Sequence, residues 1–192
     1  GADVREPKLS VTPEGRLLVN TSVYFVSREP QEDGIYRILP PIDACLNLHD
    51  SDEEHLVAQQ SMNWLSADGE TWSSAYACPS GVNTWRWDVD WHDGMGYSLA
   101  QWGRHPMGAL YRTRDGKCWR LLRDEIFPEG HAGEGSLAFG DDGTAYCLLR
   151  GSNAHGCFLG KGKAPSYQEW EWTLPVVDYG KERASAGRAD EI

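Results

Sequence analysis

Two short segments of the chain repeat one hairpin pattern. The segments NWLSADGETWSS and LYRTRDGKCWRL, called here the aspartate hairpins, have their aspartates 47 positions apart. They align Ser66 with Thr113, Asp68 with Asp115, Gly69 with Gly116, and Trp72 with Trp119. In such a turn the carboxylate can accept backbone hydrogen bonds, while the tryptophan packs between strands. We therefore predict a structural role for these eight residues.

Three further segments predict β-hairpins, because in each an apolar alternating stretch, a turn ending in glycine and a second stretch follow one another. They are PKLSVTPEGRLLVNTSVYF, WRWDVDWHDGMGYSLAQW and GSLAFGDDGTAYCLLRG. A repeat near 47 residues with four short strands per unit is typical of propeller blades rather than of helical repeats. The predicted fold is all-β: a partial, about three-bladed β-propeller of four-stranded antiparallel blades.

The predicted domain spans residues 1–177, with blades at about 3–80, 81–127 and 132–175. The turn glycines Gly15, Gly94 and Gly143 are 79 and then 49 positions apart, so the first blade carries extra residues. We assign the excess to an inserted loop at 28–59, which is acidic and contains proline. Residues 178–192 form a polar tail without periodicity.

Composition narrows the possible partners. The net charge of −11 argues against nucleic acid, since phosphate binding needs a basic face. A few arginines in one pocket can still hold a carboxylate. No apolar run approaches membrane-spanning length, the six histidines lack metal-ligand spacing, and no phosphate-loop motif occurs. We therefore expect no membrane, metal or cofactor. The five cysteines, an odd number, indicate buried thiols rather than a disulfide framework.

The strand directions of a four-stranded meander place certain residues together. The start of strand one, the end of strand two and the loop between strands two and three fall on one face, and the aspartate turns fall on the opposite one. That face is the mouth of the ring, where we expect ligands. Trp85 is the tryptophan expected to stack on a ligand there. The residues placed at this mouth are Glu6, Trp85, Arg86, Arg104, Glu134 and Arg150.

Several of these segments carry a resemblance to a known family. REPKLSVTPEGRLLVN, WDVDWHDGMGYSLAQW, EIFPEGHAGEGSLAFGDDGTAYCLLRG and the two aspartate hairpins, similar to the Asp-box repeat, resemble a bacterial branch of the exo-sialidase superfamily over about residues 3–175. The resemblance implies that Glu134 polarises a tyrosine nucleophile and that Arg150 is one of three arginines holding the substrate carboxylate. It also places Arg5 and Glu6 at the entry to an inner strand, with Glu6 where such proteins commonly have aspartate.

The implied function is that of a sialidase-like glycoside hydrolase, or a fragment of one, acting on terminal sialic acid or a related acidic sugar. The alternative is a catalytically inactive propeller module that binds carbohydrate or protein. A structural ion pair between Glu134 and Arg150, and a solvated rim carboxylate at Glu6, stay open as well. Tyr179 and Arg183 lack the strand context for the missing roles.

Two further expectations concern assembly and location. Three blades leave apolar blade faces unmatched, so a homodimer or a partner chain completing the propeller is expected. The location is open: secreted or periplasmic if a leader was removed, and otherwise cytoplasmic.

Overall fold

The computed structural model describes residues 2–26, 56–102, 105–128, 130–151, 156–173 and 177–178. These residues form three antiparallel sheets, which confirms the predicted all-β fold of four-stranded blades. Most of the predicted loop 28–59, most of the tail, Arg104, Tyr179 and Arg183 lie outside the described residues. Strand β3 begins at Leu56, so the predicted loop extends four residues too far at its end.

The strands follow the chain order within each sheet. Sheet 1 consists of β1 (Ala2–Val11), β2 (Leu17–Val26), β3 (Leu56–Ser66) and β4 (Tyr76–Val82). Sheet 2 consists of β5 (Trp85–Arg86), β6 (Asp90–His92), β7 (Met95–Trp102), β8 (His105–Thr113) and β9 (Arg120–Asp124), with β5 and β6 both paired to β7. Sheet 3 consists of β10 (Ala132–Phe139), β11 (Ala145–Gly151), β12 (Gly156–Gly162), β13 (Trp170–Trp172) and β14 (Val177–Asp178).

Sheet 2 lies between the other two sheets and shares a buried core with each. Leu18 and Leu65 of sheet 1 pack with Trp119, which follows the second aspartate turn. On the other side, Leu110 of sheet 2 packs with Leu149 of sheet 3. These cores explain why the inner-facing residues alternate with polar ones along the strands.

The two aspartate hairpins form the same turn. Oδ1 of Asp68 accepts backbone N–H bonds from Glu70 (2.9 Å) and Thr71 (2.7 Å). These backbone bonds, that from Thr71 first, lower the pKa of the Asp68 carboxyl. Oδ1 of Asp115 accepts the equivalent bonds from residues 117 and 118 at 2.9 and 3.0 Å. Gly69 has a φ of 80°, a left-handed conformation that side chains disfavour.

The two tryptophans of these hairpins differ, and the prediction that both pack between strands is wrong for Trp72. Trp119 is 2% exposed, and its Nε1 donates to Oδ1 of Asn63 in sheet 1 at 2.9 Å. Trp72 is 38% exposed, and its Nε1 donates to the carbonyl of Gly69 in its own turn at 3.2 Å. By the repeat, Trp72 points away from sheet 2, toward the side of sheet 1 where no other described sheet lies.

We expect Trp119→Ala to lower the free energy of unfolding by about 3 kcal/mol or more, because the side chain fills an interface between sheets. The matched change Trp72→Ala should cost less than about 1 kcal/mol in the monomer, since that ring is partly solvated already. Urea unfolding of dilute protein, followed by tryptophan fluorescence, measures both values. Equal losses for the two variants would contradict the packing described.

Candidate functional site

A groove of about 420 Å³ opens where the inner strands of the three sheets come together. We call it the mouth groove. It lies at the end of the sheets opposite the aspartate turns, as the meander argument predicts for ligand-contacting residues. Its polar lining consists of Glu6, Lys8, Asp88, Glu134, Ser136 and Arg150.

Glu134 and Arg150 form an ion pair at this groove. Oε2 of Glu134 accepts a hydrogen bond from Nε of Arg150 across neighbouring strands β10 and β11. The register shifts between Ala132 and Gly135, and this bulge lifts Glu134 out of the regular ladder. Because the side chains are 41% and 52% exposed, the pair contributes little to stability. Its position leaves both groups accessible to a ligand.

Asp88 connects sheet 2 to sheet 3 beside this pair. Its Oδ2 accepts a hydrogen bond from Oγ of Ser136 at 2.6 Å. Its Oδ1 is buried and has no hydrogen-bond partner among the described residues. Burial raises the pKa of the Asp88 carboxyl, and the nearby charge of Asp90 raises it further. A carboxyl group of this kind keeps its proton to higher pH and can donate it.

The mouth groove also contains a buried N–H donor, from Trp87, and a cation, Lys8. Nε1 of Trp87 is buried without a hydrogen-bond partner in the described part of the chain, although the ring lines the groove. Nζ of Lys8 lies 5.3 Å from the centre of that ring. An unsatisfied buried N–H is costly, so an acceptor atom of a ligand would be favourable at this position.

The two residues at the entry of β1 occupy different positions. Glu6 lines the groove and is exposed, with a φ of 48° at a register shift between Arg5 and Lys8. Arg5 is also exposed, but its guanidinium carbon lies 5.1 Å from the ring centre of Tyr24, and the residue does not line the groove. The structure therefore brings Glu6 to the candidate site and leaves Arg5 beside it.

The prediction that Arg86 lies at the mouth is wrong. Its side chain is fully buried between sheets 1 and 2, where Nη2 donates to Oδ1 of Asn63 at 3.2 Å. Its guanidinium carbon lies 4.8 Å from the ring centre of Trp119. Burial lowers the pKa of this arginine to about 10. The expected mouth position fails because Arg86, within β5, stands opposite Ala100, on the face of sheet 2 that packs against sheet 1.

Trp85, which was expected to stack on a ligand, does not present an exposed ring. Trp85 is 9% exposed, stacks on Trp87 with ring centres 4.9 Å apart, and meets Tyr24 edge-on at 5.6 Å. Neither face is open to a ligand. Trp87, two residues further along, lines the groove in its place.

Sequence reasoning missed the contributions of Lys8, Asp88 and Ser136. Two of them carried a signal, since Asp88 belongs to the polar positions of its strand segment and Ser136 follows Glu134 at the spacing of one strand face. What the pattern could not show is that sheets 2 and 3 bring these two side chains within hydrogen-bond distance.

The described part of the chain shows neither a metal-binding cluster nor a membrane-spanning helix. Within the described ranges no group of three or more histidine, cysteine, aspartate or glutamate side chains could hold a metal ion. The same ranges contain no helix with the length and apolar character needed to cross a membrane. His105 instead belongs to a buried network, with Nδ1 2.8 Å from Oδ1 of Asp124 and Nε2 2.7 Å from the hydroxyl of Tyr111.

The fold and the mouth groove together define a partial propeller of the kind found in glycoside hydrolases. The chain is similar to the Hadza microbial sialidase Hz136, at 14% identity and a TM-score of 0.62 over 92% of this chain and 34% of that one. It is similar to Zg3597, a family 117 glycoside hydrolase of Zobellia galactanivorans, at 12% identity and a TM-score of 0.65 over 94% and 58%. A glycosyl hydrolase from Bacteroides ovatus matches at 11% identity and a TM-score of 0.54 over 92% and 50%.

These likenesses establish the fold and not the activity, because the identities are low. The chain spans about a third to just over half of the length of these structures. No protein-family model matches the chain, and no curated protein matches it in sequence. The structural neighbours are thus propeller-type glycoside hydrolases, one of them a sialidase.

Replacing Asp88 by asparagine should stabilise the protein at neutral pH. The raised pKa means that the folded state holds the Asp88 proton more tightly than the unfolded state, so this group favours folding at low pH and the benefit is lost as pH rises through the folded pKa. Asp88→Asn removes the buried charge and can still accept from Ser136. We expect a higher melting temperature than wild type at pH 7 and a gap that closes toward about pH 4.

The control is Asp141→Asn, which removes one negative charge from an exposed position. Its melting temperature shows how much of the effect comes from the change in net charge alone. A melting temperature for Asp88→Asn at or below that of wild type at pH 7 would mean that the Asp88 carboxylate is favourably solvated or paired.

Proposed function

We propose that the mouth groove binds a terminal acidic sugar, such as sialic acid, and that the protein to which this chain belongs hydrolyses its glycosidic bond. The observation that supports this is the meeting, in one groove, of a carboxyl group with raised pKa (Asp88), the carboxylates of Glu6 and Glu134, and the two cations Lys8 and Arg150. The fold shared with propeller-type glycoside hydrolases supports the substrate class, and the resemblance to exo-sialidases supports the acidic sugar.

Arg150 and Lys8 are the groups that would hold the sugar carboxylate. Arg150 offers a planar fork of donors, and in the described part of the chain Glu134 engages its Nε. A ligand carboxylate approaching Arg150 would compete with Glu134 for the guanidinium. Binding of an acidic sugar would therefore release Glu134 from its ion pair.

Asp88 and the released Glu134 have complementary roles in this proposal. Asp88, whose pKa is raised by burial, donates the proton of its protonated form to the glycosidic oxygen as the bond to the anomeric carbon breaks and its electron pair passes to that oxygen. Glu134 takes a proton from the group that attacks the anomeric carbon. No tyrosine lines the described groove. The attacking group is then a water molecule, or a tyrosine that lies outside the described residues.

A second candidate is a binding module without hydrolysis. The ion pair supports it, because a carboxylate held by arginine is a poor base. The two candidates predict the same binding of acidic sugar but differ in turnover.

Binding and cleavage can be tested on one set of variants. Arg150→Met should weaken binding of N-acetylneuraminic acid, followed by saturation-transfer NMR, by about tenfold or more because a charge-assisted contact is lost. Arg123→Met, an exposed arginine of β9 outside the groove, is the matched control and should bind as wild type does. Equal loss in both variants, or no binding by wild type, would refute the proposed ligand.

Glu134→Gln separates the enzyme from the binding module. It should keep or tighten acidic-sugar binding, since Arg150 loses its competing carboxylate. If wild type releases the fluorophore from a fluorogenic sialoside and Glu134→Gln does not, the hydrolase is supported. Binding without release by wild type leaves the module as the function of this chain.

We further propose that the outer face of sheet 1 is covered by a sheet of a second copy. Leu9 and Val11, two residues apart on β1, are 63% and 56% exposed, and Trp72 is the unburied counterpart of Trp119. Three such apolar groups on the side away from sheet 2 are unfavourable in water. The Bacteroides ovatus structure, of which this chain covers 50%, is about twice as long, which is the size that two copies would provide.

Light scattering of the purified chain should give the mass of a dimer, and Leu9→Asp should convert it to the monomer, because a charge at the covered face cannot be solvated. The control Leu148→Asp changes an exposed leucine of sheet 3 and should leave the mass unchanged. A monomeric wild type would refute the second copy as the covering sheet.

A further inference from the structure

A second groove, of about 530 Å³, lies at the end of sheet 2 that carries the aspartate turn. We call it the arginine groove. Its lining includes Arg112 at the end of β8, Arg114 in the turn and Arg120 at the start of β9, and none of its lining residues is shared with the mouth groove. It goes beyond the function proposed above, which rests on the mouth groove alone.

The three arginines leave the sheet on one face. Arg112 stands directly opposite Arg120 in the antiparallel pairing of β8 and β9, and directly opposed residues project to the same side. Arg114 follows Arg112 by two positions, and all three are exposed while Thr113 between them is buried. Like charges placed directly opposite each other destabilise a strand pair. The arrangement therefore lowers the stability of this hairpin unless an anion is present.

No carboxylate of the described residues neutralises this group. None of the three guanidinium groups lies within 4.0 Å of an acidic oxygen in the described ranges. Asp115 also lines the groove, but its Oδ1 accepts backbone N–H bonds from Lys117 and Cys118 and so is committed to the turn. The chain has 29 acidic and 18 basic residues, so acidic side chains that could pair with these arginines are in excess. The groove instead keeps together three cations that have no acidic partner in the described part of the chain.

The geometry points to a binding site for a short polyanionic saccharide that carries sulfate or carboxylate groups. Guanidinium forks bind such oxyanions in pairs of hydrogen bonds, and three of them along one hairpin match a few anionic groups in series. A long nucleic acid fits less well, because the net charge of −11 repels a polyphosphate over most of the surface. The ligand is thus a multiply charged sugar, held at the end of the molecule opposite the mouth groove.

The test is calorimetric titration with a heparin-derived hexasaccharide. Wild type should bind it, and the affinity should fall between about 50 mM and about 200 mM NaCl as counterions compete. Arg112→Gln and Arg120→Gln should each weaken binding by roughly tenfold, the effect of losing one charge-assisted contact. Arg123→Gln, which changes an exposed arginine of β9 that does not line the arginine groove, is the matched control and should bind within about twofold of wild type.

Stability supplies a readout that a merely damaged fold would not give. Because Arg120→Gln relieves the repulsion from Arg112, it should raise the melting temperature at low salt while weakening the ligand. A lowered melting temperature together with lost binding would overturn the proposal in favour of a structural role. So would an equal loss of affinity in Arg123→Gln.

Two further results decide the ligand class and the independence of the sites. A single-stranded oligonucleotide that binds as tightly as the hexasaccharide, with the same loss in Arg120→Gln, would overturn the assignment to a saccharide. Arg150→Met should leave hexasaccharide binding unchanged, so failure at the mouth groove is distinguishable from failure here. Loss of hexasaccharide binding in Arg150→Met alone would place the anion at the mouth groove and refute the second site.

Discussion

The buried guanidinium of Arg86 is the group on which the joining of sheets 1 and 2 depends. A charge taken out of water costs several kcal/mol unless nearby groups compensate it. Here Asn63 accepts from both Arg86 and the indole of Trp119, and donates to Asn20 at 2.9 Å. The ring of Trp119 also lies against the cation. The Nε and Nη1 of Arg86 have no hydrogen-bond partner among the described residues. Since the existing partners come from two sheets, a shift of either sheet would leave further polar groups unsatisfied in the interior.

The same network positions the mouth groove. Nδ2 of Asn20 donates to the backbone carbonyls of Arg86 and Trp87, and so holds the irregular segment between β5 and β6. The next residue in that segment is Asp88, which crosses to Ser136 of sheet 3. The candidate proton donor is thus located by a buried network on one side and by the hydrogen bond from Ser136 on the other. A functional group placed on an irregular segment needs such support, because no strand ladder defines its direction.

Much of the fold was predictable from local signals. Gly69 and Gly116 mark turns that require a left-handed residue, and the aspartate beside each is bonded to the turn backbone wherever the turn occurs. Within the candidate site, Glu134 and Arg150 were predictable as neighbours. Glu134 lies near the start of β10 and Arg150 near the end of the antiparallel strand β11, so both fall at the same end of the sheet. The burial of Arg86 was not predictable, since it follows from the packing of sheet 2 on sheet 1, which a pattern along one strand cannot reveal. The exposure of Trp72 depends on which side of sheet 1 packs against another sheet, and the sequence repeat alone does not predict that side.

The sequence by itself determined the strand content, the repeat and the end of the sheets at which Glu6, Glu134 and Arg150 meet, because turns and side-chain alternation are short-range properties of the chain. Only the tertiary structure decided which charges are buried and which remain together in water. Arg86 is buried in the interface between sheets 1 and 2, and burial against sheet 3 raises the pKa of Asp88. Arg112 and Arg120 lie directly opposite each other across a hairpin. Solvation and the approach of like charges depend on distances between segments far apart in the chain, and those distances exist only after the sheets have packed.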